Sequence, residues 1–219
     1  MMIRPAGRGP WLIEVFRKIL YPYEREIFNM QGDREKNVFK GILDEHSWMM
    51  DMIDWTQVTL MLKEINSAGR IFVYGTGRSG LIIRAFGERL MHLGFEFHAI
   101  GEISCPPLGR GDLLLVCTGS GTTKPVVAAA KAARDLSVRV GAITAAAPGA
   151  PILELADAVV SLKAPETKPE FFPPPLGQPL GSSFEQGAFL LCESMAIDLI
   201  QDRAVPAVDI KRRHANVES

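Results

Sequence analysis

From Gly69 onward the chain repeats one pattern: a short β-prone run, a turn, and then an apolar stretch with helical spacing. The β-prone runs cover residues 70–74, 95–100, 112–117, 139–143 and 157–162, and the helical stretches include 79–93 and 125–136. Strands that alternate with helices predict a parallel sheet covered on both faces. Right-handed crossovers then give a three-layer α/β/α sandwich. A last helix is predicted over 183–201, with Phe184, Ala188, Leu191, Met195 and Leu199 down one side. Before it, the proline-rich stretch 165–179 reads as a long loop.

The first 69 residues follow a different grammar. Apolar residues at three- and four-residue spacings predict helices over 11–29 and 37–67, with Gly32-Asp33 between them. Such helices pack on a domain or on a partner subunit, and Phe39, Trp48 and Trp55 read as core or interface. The expected organisation is a helical extension over 1–32, an α/β domain over 33–202 and a tail over 203–219. A chain of 219 residues, 47% hydrophobic, can bury one core of this kind. A net charge of −1 argues against nucleic-acid binding, which needs a basic stripe. No apolar run approaches the ~20 residues of a membrane span. Glu14 and Arg17 interrupt any signal-peptide core. Cys105, Cys117 and Cys192 lack metal or disulfide spacing and read as free thiols. The expectation is a cytoplasmic protein.

Ligands of open α/β sheets bind beyond the carboxyl ends of the strands, and two of these ends carry glycine-rich turns. Gly75-Thr-Gly-Arg-Ser-Gly80 fits GxGxxG, with Glu102 about where a dinucleotide fold places its ribose-binding acid. That leaves a nicotinamide dehydrogenase as a rival reading. The second turn, Thr118-Gly-Ser-Gly-Thr-Thr123, decides against it. Its glycines let backbone N–H groups approach an anion, four hydroxyls add donors, and a helix N-terminus follows. A plain N-cap needs only one hydroxyl. The two turns together predict a phosphate site.

Three stretches carry a resemblance: GTGRSGLIIRAFGERLMHLG over 75–94, TGSGTT over 118–123, and QPLGSSFEQ over 178–186. The chain resembles the 6-phospho-3-hexuloisomerase branch of the SIS (sugar isomerase) domain family from about Asp33 to Ile200. The resemblance implies a flavodoxin-like, five-stranded parallel sheet and a homotetramer with sites between subunits. It also implies interconversion of 3-hexulose 6-phosphate and fructose 6-phosphate in the ribulose monophosphate pathway, with no cofactor or metal. Thr118 where the family commonly has Ser, Leu180 for Met, and the proline-rich insert 171–175 depart from the pattern. Alternatives are another SIS-type isomerase, such as one for arabinose 5-phosphate, or a non-catalytic sugar-phosphate sensor.

Moving a carbonyl from C3 to C2 requires a group that takes a proton from carbon and returns one. The resemblance points to Glu185 as this base, in the first turn of the last helix. Ser182-x-x-Glu185 also reads as a capping box, in which Glu185 only bonds the N-cap amide. His92, beside the apolar face of the 79–93 helix, is the second catalytic candidate, as acid or proton shuttle; His46, His98 and His214 have less support. Gly77, Arg78, Ser79, Thr118, Ser120, Gly121, Thr122 and Thr123 are the expected phosphate and substrate ligands. Arg89 falls within an apolar stripe and is expected to pair across a subunit interface.

Overall fold

The computed structural model describes residues 34–164 and 178–214. The helix expected over 11–29 and most of the proline-rich stretch, including the insert 171–175, lie outside the described residues.

In chain order the elements are α1 (Arg34–Asp51), α2 (Trp55–Asn66), β1 (Ile71–Gly75), α3 (Gly77–His92), β2 (Phe97–Ala99), β3 (Leu113–Thr118), α4 (Lys124–Asp135), β4 (Arg139–Thr144), α5 (Pro151–Leu155), β5 (Ala158–Ser161), α6 (Ser182–Asp202) and α7 (Ala207–Arg213). All five strands run parallel in the order β2-β1-β3-β4-β5, with Ile71 opposite both Phe97 and Leu113. This is the flavodoxin-like order expected, and its direction switches between β1 and β3.

The strands alternate by twos, as a sheet covered on both faces must. Ile71, Val73, Leu113, Leu115 and Cys117 join one buried cluster with residues of α1, α2, α3 and α6. Phe72, Leu114 and Val116 join another with Val126, Ala130 and Ala133 of α4 and Ile152 of α5. The three layers follow.

Some elements differ from expectation. The span 37–67 is two helices, because Asp54 accepts from the Thr56 N–H at 3.0 Å and caps a fresh start at Trp55. β2 is an edge strand with one neighbour and keeps only three residues. The span 203–219, expected as a tail, contains α7, and Arg213 of that helix donates to the carbonyl oxygen of His92 at 3.1 Å. Arg89 is exposed in the single chain and donates to Glu193 of α6 at 3.1 Å.

Candidate active site

Both glycine-rich turns lie at the carboxyl edge, after the neighbouring strands β1 and β3. In the first, the outer glycines serve packing. A Cβ on Gly80 would stand 2.5 Å from the carbonyl oxygen of Gly75, so only glycine lets α3 rest directly on the end of β1. Gly77 differs: its φ is +56° and a Cβ there would meet nothing within 4 Å. Thr76 caps the helix by position but makes no side-chain cap bond. The turn thus puts a helix N-terminus, with its N–H groups and partial positive charge, beside open space. Ser79 lies near the thiol of Cys117, toward the end of β3.

The second turn is ordered by its own hydroxyls. Thr118 is buried; its Oγ1 donates to Thr123 at 3.3 Å and accepts from the Gly121 N–H at 3.3 Å. Ser120, exposed, accepts from the Thr122 N–H at 3.3 Å and from its hydroxyl at 3.1 Å. Thr123 stands at the N-cap of α4 without a side-chain cap bond. Gly121 takes φ +68°, and a Cβ there would lie 2.6 Å from that of Ala146, so the loop is pressed onto the segment after β4. Below it, the Thr144 hydroxyl donates to the Thr118 carbonyl at 2.6 Å. Ser120 and Thr122 present hydroxyls outward, while Thr118 acts from beneath as a brace.

Glu185 joins these turns from α6. The helix is capped by Gly181 in the left-handed region, φ +89°, and no side-chain cap bond forms. The Ser182 N–H donates to the Pro179 carbonyl at 3.0 Å, so the amide that a capping box would assign to Glu185 is taken. Freed from that role, the Glu185 carboxylate accepts from Nε of Arg78 in the first turn of α3. Glu185 is 13% exposed and Arg78 66%. An ion pair with one partner this exposed is worth at most about 1 kcal/mol, so a ligand can displace it. Cys117 lies under this pair: burial, then the charge of Glu185, pushes its thiol up to about 12, and it stays protonated and inert.

A cleft of about 360 Å³ opens beside the pair, lined by Ile42, Leu43, His46, Arg78, Ile82, Glu185, Gln186, Phe189 and Leu190. The two residues named for catalysis are not brought together in it. His92 ends α3, roughly 21 Å along the helix axis from Arg78 at 1.5 Å per residue. It is buried against His214, with ring centroids 3.8 Å apart. Burial first, then the neighbouring His214, lowers its pKa below the ordinary imidazole value. Glu102, the candidate ribose acid, is exposed and within 3.5 Å of Arg84. The cleft contains instead His46 and Gln186. His46 had no motif to mark it, whereas Gln186 stood at the end of the SSFEQ run.

Comparison with known proteins places these features in a family context. The SIS domain model matches residues 64–183, over half of the chain. A protein of Mycobacterium gastri named 3-hexulose-6-phosphate isomerase is 38% identical over 187 residues, covering 85% of this chain and 93% of its own. One of the same name from Bacillus subtilis is 36% identical over 154 residues, 70% of this chain and 83% of that protein. A hypothetical protein of Methanococcus jannaschii, whose crystal structure infers a molecular function of 3-hexulose-6-phosphate isomerase, aligns with a TM-score of 0.68 at 29% identity, covering 82% of this chain and 96% of its own. No described helix is long and apolar enough to cross a membrane.

Proposed function

The chain belongs to the SIS domain family, and we propose that it interconverts 3-hexulose 6-phosphate and fructose 6-phosphate by proton transfer through an enediol. One observation carries the reading beyond the fold. The Glu185 carboxylate, released from capping, stands next to Arg78 of the first turn, and its neighbour Phe184 packs on Gly119 of the second.

In this reading the phosphate docks on the N-termini of α3 and α4. The Gly77 N–H and the hydroxyls of Ser79, Ser120, Thr122 and Thr123 donate to it, while Gly121, whose N–H donates to Thr118, shapes the loop. Thr118 fixes the loop that carries three of these groups. Arg78 swings from Glu185 to the arriving phosphate, which its exposure permits. Glu185 then takes the proton from C2 and later returns it to C3. The route consists of proton transfers alone, and the proposal includes neither cofactor nor metal.

His92 enters as an assisting acid only from a second copy of the chain, because its own copy holds it at the far end of α3. His214 covers it in the single chain, so that role also requires α7 to shift. The proposal is a homotetramer with sites between subunits. Leu81 on α3 and Phe189, Leu190 and Ile197 on α6 are exposed apolar residues that such an assembly would cover. A phosphorylated substrate and three free cysteines fit a reducing, cytoplasmic setting.

The test is fructose 6-phosphate formation from 3-hexulose 6-phosphate, run beside arabinose 5-phosphate. The expected result is conversion of the hexulose phosphate and none of the pentose phosphate. The reverse result moves the protein to another isomerase class. Saturable binding without conversion moves it to the sensors.

A further inference from the structure

One wall of the cleft beside Glu185 comes from neither turn. His46 on α1 is 4% exposed, and its Nδ1 stands 2.7 Å from the carbonyl oxygen of Ile42. A carbonyl only accepts, so Nδ1 carries the proton and Nε2 of the neutral ring is an acceptor. That Nε2 is buried, with no partner among the described residues.

Gln186 reaches the same state by another route. The amide nitrogen of Gln178 lies 3.3 Å from Oε1 of Glu45, and only the nitrogen can donate to a carboxylate. The amide oxygen of Gln178 therefore faces Gln186, whose Nε2 donates to it at 3.0 Å. This fixes the Gln186 amide and leaves its Oε1 buried, again without a partner among the described residues. Both residues line the cleft with Glu185 and Arg78.

A buried polar atom left unpaired costs about 1–3 kcal/mol. Two residues that line the cleft thus each keep an orphaned acceptor, which fits a ligand that brings hydroxyl donors. The turns and Arg78, rich in donors, fit the opposite chemistry of a phosphate. A phosphorylated polyol matches both ends.

Resting on the isomerase reading above, we propose that His46 is a second catalytic residue of this reaction. It acts on the oxygens of the reacting carbons while Glu185 acts on carbon, and Gln186 accepts from the adjacent hydroxyl. Glu185 takes the C2 proton; the C–H electron pair forms the C2=C3 bond and the C3 carbonyl oxygen takes the charge. Nε2 of His46 accepts the proton of the C2 hydroxyl and passes it to the oxygen on C3. The charge now on the C2 oxygen collapses to a carbonyl as C3 recovers the proton from Glu185. Atoms and charge balance, and both side chains end as they began.

The experiment incubates the full-length protein with fructose 6-phosphate in deuterated water. It follows deuterium entering C3 separately from conversion to 3-hexulose 6-phosphate. Exchange at carbon needs only Glu185, whereas conversion also needs the oxygen-to-oxygen transfer. His46→Gln is expected to slow conversion about 100-fold while carbon exchange stays within about tenfold of the wild type. A parallel fall of both rates, or no fall in conversion, overturns the proposal. Gln186→Met is expected to weaken fructose 6-phosphate about tenfold and leave inorganic phosphate binding unchanged. Equal losses for both ligands remove Gln186 from the site.

Nitrogen-15 histidine spectra of the wild type keep the test alive if His46→Gln fails to fold. Adding fructose 6-phosphate should move the Nε2 signal of His46, and an unmoved signal overturns the proposal. Wild-type protein that neither exchanges nor converts sinks the isomerase reading itself; the nitrogen signal then judges His46 alone.

Discussion

At its first turn α3 places Arg78 against Glu185 and Ser79 against Cys117; at its last turn it holds His92 against His214 and Arg213. The first end is half-open and its ion pair is displaceable. The second is buried and closed over by α7. Both ends come from a single stretch of twenty residues, and a reader of that stretch assigns chemistry to both. The helix itself separates them, since 16 residues in a rigid rod keep its ends two sheet edges apart. Within one chain, then, the candidate site lies at the carboxyl edge, and the His92 end packs against α7.

Substitutions can break or sharpen that contrast. The largest effect is expected at Glu185: Glu185→Gln should lower turnover about 1,000-fold, with a melting temperature little changed because its partner Arg78 is exposed. Next is Gly80→Val. Its Cβ meets backbone 2.5 Å away that cannot retreat, so a loss of about 3 kcal/mol is expected in denaturant melts. Gly77→Ala, beside open space, should cost about 1 kcal/mol for its left-handed backbone alone. Ser120→Ala with Thr122→Ala should weaken fructose 6-phosphate in calorimetry by about 2 kcal/mol, roughly 30-fold, if these hydroxyls bind the phosphate.

The smallest effect belongs to the far end. The folded state lowers the His92 pKa, so below the ordinary value of 6.5 the unfolded chain binds the proton more readily. Stability from neutral His92 is therefore fully present above pH 6.5 and is lost as pH falls through the folded pKa. His92→Phe keeps a buried ring and removes the titration. It should soften the drop in melting temperature between pH 7.5 and 5. An equal drop in both proteins would show that α7 docks independently of His92 charge.

The sheet was legible in the sequence because its signals are local. Short continuous apolar runs at Ile71–Gly75 and Leu113–Thr118, each leading into a glycine-rich turn, need no knowledge of neighbours. The two turns were legible for the same reason. Short α5 and α7 carry too few residues for a helical period to show. Glu185 was readable only as a choice between base and cap. The choice turns on Gly181 adopting the left-handed conformation, which moves the cap one residue upstream of Ser182. His46 was the least legible. Its place in the cleft depends on α1 packing against α6, segments more than a hundred residues apart in sequence. His92 differs again: its motif shows in the sequence, but its packing against His214 and Arg213 of the last helix does not.

The central claim is that Glu185 is the base and not a cap. Deuterium exchange into C3 of fructose 6-phosphate by the Glu185→Gln protein measures it most directly, with ligand-induced thermal stabilisation run alongside. Exchange is expected to fall at least about 100-fold while fructose 6-phosphate still raises the melting temperature. Exchange at the wild-type rate would contradict it.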